Sequence, residues 1–213
     1  ENIIMTDSKG VINQSRTDLS NEKKFFITKR KINSLKEAMV NSDVFIGLSM
    51  ANILTEKMLE SMSNDPIVFA MANPDPEINY DIAMSVRDDI IFATGRSDLP
   101  NQVNNVLGFP FIFRGALDVR ATKINEEMKK AAVIALAELA KKPVPEQVNI
   151  AYDETKLLFG KDYIIPKPFD PRLISEIPPA VAKAAMESGV AQEPIPDWDK
   201  YTQILEERLG NNQ

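Results

Sequence analysis

Four short apolar runs, Ile3 to Thr6, Val44 to Leu48, Ile67 to Met71 and Ile90 to Thr94, each stop at a turn and leave room for a helix before the next. Short runs of this kind separated by helices are the pattern of βαβ crossovers, which build a parallel sheet with helices against its faces. Ser34 is placed to cap a helix reaching Val40, and Thr55 one from Glu56 to Met62, with Glu56 in the first turn where negative charge is favoured. After residue 105 the pattern becomes helical: Val106 to Val119 despite Pro110, then Ile124 to Ala140. Asp170 and Pro171 mark a further start that the Pro178-Pro179 pair interrupts; a second run covers Ala180 to Ser188, Gly189 stops it, and a last helix runs from about Trp198 to Leu209. The expected class is α/β, an incomplete doubly wound, Rossmann-like parallel sheet followed by a helical C-terminal tail. The expected division is 1–140 for the sheet domain and 141–213 for the helical extension.

Two strand ends are unusual. In Pro66-Ile-Val-Phe-Ala-Met-Ala-Asn-Pro-Asp-Pro-Glu77 an apolar run ends at Asn73, and Pro74 and Pro76 forbid further strand, so an amide side chain is presented at a strand's carboxyl end. In the segment from Ile91 to Arg114 a strand meets Gly95, then Asn104-Asn105, then an apolar helix. A glycine turn, free backbone N–H groups and a positive helix end together suit a small anion such as a carboxylate. Ligands of open parallel sheets bind beyond the carboxyl ends of the strands, so Asn73, Gly95 and Asn105 are expected at one pocket. The competing reading makes the asparagines caps and turn formers only.

A chain of 213 residues with 44% apolar content can bury a core without disulfides or structural metal. It contains no Cys and no His, which removes thiolate nucleophiles, zinc–thiolate sites, the Ser/His/Asp triad and His-ligated metals. Proton chemistry here falls to Asp, Glu, Lys or Tyr. Net charge is −6 with both signs interspersed, and Lys29-Arg30-Lys31 reads as a solvated face, so no nucleic-acid partner is expected. No apolar run approaches a membrane span, and a cytoplasmic location is expected.

A dinucleotide-binding domain opens with a strand, a G-x-G-x-x-G turn and, about 20 residues on, an acidic residue at the second strand's end. No such turn is present, but Asn2-Ile-Ile-Met-Thr-Asp7 looks like that second strand with Asp7 as the ribose-binding carboxylate. As an isolated residue Asp7 reads first as a turn former, and its place at the head of a βαβ series brings the ribose reading level with that one. Asp7 would repel a 2′-phosphate while Lys9 and Arg16 would attract one, which leaves NAD and NADP both open.

The runs Thr6 to Ile12, Asp43 to Ser49, Met71 to Ile78, Ala93 to Ala121 and Asp162-Tyr-Ile-Ile-Pro-Lys-Pro-Phe-Asp-Pro-Arg172 resemble the bacterial short form of malic enzyme, over nearly the whole chain. The resemblance implies oxidation of malate with NAD or NADP and decarboxylation to pyruvate and carbon dioxide, assisted by a divalent cation, Mg or Mn. It implies that Asn73 and Asn105 bind substrate, that Asp7 sits at the adenosine ribose, and that Gly47, Ser49, Gly95 and Arg96 border the cofactor. Met50-Ala51-Asn52 departs from the family's pattern, and no role is assigned to Asn52.

The family's tyrosine acid, lysine base and three-carboxylate metal site precede the glycine turn, so the resemblance assigns no catalytic residue and no metal ligand to this chain. Asp75, Glu77, Asp98 and Asp118 match none of those ligands and are read as solvated, capping or structural. The expectation is part of an oxidative decarboxylase, inactive alone, whose partners are malate, the N-terminal half of the same enzyme and a second copy in a homodimer. The rivals are a non-catalytic cofactor-binding or assembly fragment, or another dehydrogenase with the same sheet.

Overall fold

Near the start of the chain a two-residue strand, β1 (Thr6–Asp7), turns back onto β2 (Gly10–Val11) as an antiparallel pair, with Gly10 at φ +105°. The computed structural model describes residues 2–154 and 156–210, in two compact units, Glu1–Gly95 and Arg96–Gln213. The strand expected at Ile3 to Thr6 as head of the parallel series is thus shifted to Thr6–Asp7 and sits in its own small ladder. The reason lies in backbone accounting. Ile12 N–H donates to Met5 O at 2.9 Å and Val11 N–H to Asn33 O at 2.9 Å, so the segment's polar groups are satisfied away from the parallel sheet.

Short helices follow, two of them at the expected caps Ser34 and Thr55 and others at caps the sequence reading did not single out. Ser20 caps α1 (Asn21–Lys24). Ser34 and Glu37 form a reciprocal capping box on α2 (Leu35–Met39): Glu37 N–H donates to Ser34 Oγ and Ser34 N–H to Glu37 Oε2. Then β3 (Val44–Gly47), α3 (Glu56–Glu60, capped by Thr55), β4 (Ile67–Ala70), α4 (Tyr80–Val86, capped by Asn79) and β5 (Ile91–Thr94) alternate. The three strands pair in parallel in the order β3-β4-β5, and Gly47, Ala70 and Thr94 stand level at their carboxyl ends. One face buries Phe45, Val68 and Phe92 with Leu59 and Ala83 of the helices, and Tyr80 meets Phe92 edge-on at 5.4 Å. Full burial of a residue such as Leu59 contributes about 1.5–3 kcal/mol. The half-buried Arg87 holds the end of α3, donating to the carbonyls of Leu59, Met62 and Ser63 at 2.9–3.2 Å.

The second unit is helical. A 3-10 turn, Asn105–Leu107, leads into α5 (Phe109–Asp118), where Pro110 lies in the first turn and needs no donor. It is followed by α6 (Glu126–Lys141, capped by Asn125), α7 (Glu146–Ala151), α8 (Leu173–Glu187) and α9 (Trp198–Gly210). The Pro178-Pro179 pair does not split the helix as expected: α8 runs through both. Each proline removes an N–H and crowds the preceding turn. Burial of Leu173, Ile177, Pro178, Val181, Ala182 and Ala185 in one core with Met128, Leu139 and Val119 offsets that loss. The approach to α5 is close enough that a Cβ on Gly115 would stand 2.5 Å from Pro178 O and 2.8 Å from Val181 Cβ. Asp170 lies outside α8, which begins at Leu173, and accepts the Arg172 N–H at 3.0 Å while pairing with its guanidinium.

Candidate functional site

Because Gly47, Ala70 and Thr94 are level, the chain leaves all three parallel strands at one sheet end, and Ser49, Asn73 and Gly95 follow within three residues. The strands are held to this level by the ladder and by β-branched or aromatic residues that pack one face. Ser49, Asn73 and Gly95 are all exposed. Among the described residues the Asn73 amide has no hydrogen-bond partner, so both its donors and its acceptor are available. A Cβ on Gly95 would meet nothing within 4 Å, which leaves open space at the end of β5.

Gly47 is different. A Cβ there would fall 2.3 Å from the Glu77 Cδ and 2.4 Å from its Oε1, so the glycine is required by a side chain that fills the place in front of it. Glu77 is wholly buried, and its two oxygens accept backbone N–H groups from Ser49 at 3.1 Å and Ala72 at 3.0 Å. In the sequence Glu77 reads as one of several acids without a ligand role, and the signal for it is distant, the glycine that ends β3.

Asn105 and Arg96 lie in the second unit. The adjacent asparagines divide their work. Asn104 is the cap, its Oδ1 accepting the Val106 N–H at 3.0 Å, whereas the exposed Asn105 amide has no partner among the described residues. Asn101 is structural: it donates to Lys161 O at 2.6 Å and accepts from Ile164 N–H at 2.8 Å, fastening the segment that contains Tyr163 and Lys167. Arg96 pairs with Asp98, and Asp118 takes Arg114 and the Tyr201 hydroxyl, the latter at 2.7 Å.

Asp7, in the hairpin of the first unit, sits in a charge cluster. Its Oδ1 accepts from Lys9 N–H and Arg16 Nη1, both at 3.0 Å, and its Oδ2 from Arg16 Nη2 at 3.2 Å and Lys23 Nζ at 2.6 Å. Asp18 accepts from Arg16 Nε at 2.7 Å and Lys9 Nζ at 2.6 Å. Arg16 and then Lys23 hold the Asp7 carboxyl well below its ordinary range, and Arg16 and Lys9 do the same to Asp18. The side chains of Lys9, Arg16 and Lys23 outnumber the two carboxylates, leaving one positive charge in excess.

Clefts of about 310 Å³, lined by residues such as Leu158, Lys161, Tyr163 and Lys167, and about 460 Å³, lined by residues such as Asn52, Thr55, Ile78 and Asn79, touch none of the expected site residues. Among the described residues no three Asp, Glu, His or Cys side chains gather into a metal-binding group. Among them, too, no helix is long and apolar enough to cross a membrane.

Residues 1–154 match the family model described as malic enzyme, NAD binding domain. A NADP-dependent malic enzyme of Halomonas elongata is 56% identical over 196 residues, covering 92% of this chain and 46% of the relative. One of Rhizobium meliloti is 58% identical over 209 residues, covering 98% of this chain and 28% of the relative. The solved malic enzyme of Entamoeba histolytica superposes with a TM-score of 0.83 at 35% identity, over 98% of this chain and 42% of that one. The chain therefore spans less than half the length of these relatives.

Proposed function

The chain belongs to the malic enzyme family, and from that premise we propose that it forms the cofactor side of an oxidative decarboxylase that converts malate to pyruvate and carbon dioxide while reducing NADP. The observation that carries this reading is the common level of Gly47, Ala70 and Thr94, because ligands of α/β sheets bind where parallel strands end together. The family model's span over residues 1–154 supports a cofactor-side domain that reaches past residue 140 to the end of α7, with α8 and α9 as the extension.

The bound dinucleotide would supply the hydride acceptor. The chain's own residues would bind and orient. Gly47, Ser49, Gly95 and Arg96 border the cofactor, Gly47 by giving room to Glu77 and Ser49 by its hydroxyl. Asn73 and Asn105 serve as neutral amide donors to the substrate's carboxylate and hydroxyl; an amide keeps one protonation state at any working pH. Asp7 acts through Arg16 and Lys23, which it aligns, and the excess positive charge of that cluster favours the 2′-phosphate of NADP over NAD. The residues described here do not fit a divalent cation site. The cation, the proton donor and the base are assigned to the N-terminal half of the enzyme, a reading that the coverage of 46% and 28% of the relatives supports.

The test is fluorescence titration of the full-length enzyme with NADP and NAD, followed by assay with malate and Mn²⁺. NADP binding tighter than NAD and reduction of NADP by malate are expected. Equal or tighter binding of NAD would overturn the cofactor assignment, and binding without malate-dependent reduction would overturn the reaction.

A further inference from the structure

Glu77 is a fully buried carboxylate with no cationic side chain paired to it among the described residues. Burying such a group without a cation beside it is unfavourable, so the hydrogen bonds it accepts must matter to the fold or to the site. It holds two backbone N–H groups, each at a strand exit: Ser49, two residues beyond β3, and Ala72, two beyond β4. Its own backbone extends the attachment, since Leu54 N–H donates to Glu77 O at 3.0 Å and Asn52 N–H to Pro76 O at 3.2 Å. Gly47 is stripped of a side chain to admit the carboxylate. Both exits, with the exposed Ser49 hydroxyl and the Asn73 amide next to Ala72, are thereby referred to one rigid, planar group.

We propose that Glu77 is the positioning residue of the strand-end crevice, fixing the spacing of the Ser49 and Asn73 segments for a dinucleotide and a small carboxylate. The assignment rests on the function proposed above. A carboxylate can give one acceptor oxygen to each N–H, whereas an amide of the same shape gives one acceptor and turns an NH₂ toward the other donor. Glu77→Gln therefore releases one exit while preserving volume, and Glu77→Ala releases both. Misplacement of a binding group by about 1 Å can lower turnover roughly 100-fold.

The test uses the full-length enzyme. Hydrogen exchange without cofactor, read on peptides containing 48–54 and 71–76, should quicken in Glu77→Gln while the melting curve keeps its cooperativity. NADP affinity and kcat/KM for malate should fall roughly 10- to 100-fold. Gly47→Ala should reproduce this loss, and Glu77→Ala/Gly47→Ala should be no worse than Glu77→Ala, because the collision has been removed. Additive losses in the double variant, or a Glu77→Gln enzyme with faster exchange but unaltered affinity and turnover, would overturn the positioning role. Unaltered exchange would overturn the clamp itself. The exchange arm needs neither cofactor nor activity, so it decides the clamp even if the wild-type enzyme does not use malate.

Discussion

Asn104 and Asn105 are neighbours of identical chemistry, yet the structure assigns them separable effects. Asn104→Ala removes an acceptor for the Val106 N–H at 3.0 Å, and loss of such a cap costs about 0.5–2 kcal/mol. The turn it caps is only three residues long, which puts the effect in the lower half of that range. For an unfolding unit of about 150–250 residues each kcal/mol lowers Tm by about 2–4 °C, and by less if the full-length enzyme unfolds as one larger unit. Asn105→Ala removes an exposed amide with no partner among the described residues, so Tm should not move. If that amide donates to a substrate carboxylate, its loss forfeits a hydrogen bond to a charged group, about 1.5–3 kcal/mol, or roughly 10- to 150-fold in kcat/KM. Asn105→Asp should be worse, since it opposes one carboxylate with another. Calorimetry and steady-state malate kinetics on the full-length variants read both quantities. Normal malate kinetics in Asn105→Asp, or a fall in Tm on Asn105→Ala equal to that of Asn104→Ala, would show that both residues are only turn formers.

Gly115→Ala should destabilise the enzyme by about 1–3 kcal/mol in urea denaturation, because its Cβ meets Pro178 O at 2.5 Å and backbone cannot swing aside; a change under about 0.5 kcal/mol would refute the packing argument. Arg16→Ala should weaken NADP several-fold more than NAD in direct titrations, and equal losses for both would detach the cluster from the 2′-phosphate. The Arg87 guanidinium, helped by the Asp65 N–H, lowers Asp89 from 3.8 to about 2. A depressed carboxyl stabilises the fold fully above its unfolded value and loses that contribution as pH falls through the folded one. Asp89→Asn should therefore flatten acid unfolding between about pH 4 and pH 2 and change nothing in its slope near neutrality; an unaltered acid limb would refute the pairing.

The βαβ order was legible because the parallel strands of the first unit are short, apolar and punctuated, and because Ser34 and Thr55 announce helix starts through side-chain oxygens. The strand ends carried Asn73 and Gly95 with them. What stayed hidden was tertiary. Nothing local says that Ile3 to Met5 is not a strand; the hydrogen bond from Ile12 to Met5 decides it. The prolines of α8 are locally disruptive and are tolerated because the helix is buried against others. Glu77 reads as an ordinary acid after two prolines, and its meaning appears only when Gly47, thirty residues earlier, is seen beneath it. Asn104 and Asn105 could not be told apart from sequence, since either could cap.

The close contact between Gly115 and Pro178 also sets a timetable for the chain as it is made. The β3–β4 and β4–β5 pairings join residues 23 and 24 positions apart, so the sheet can close almost as soon as Thr94 is available. Gly115 and Pro178 are 63 positions apart. Closing the longer loop adds only about 0.9 kcal/mol of chain entropy. At about 5–20 residues per second, however, α5 waits roughly 3–13 s for its partner during synthesis. During that interval the first unit can be complete while the apolar side of α5 remains bare, which makes the nascent second unit, rather than the parallel sheet, the stage at which a ribosome-bound chain most needs shielding.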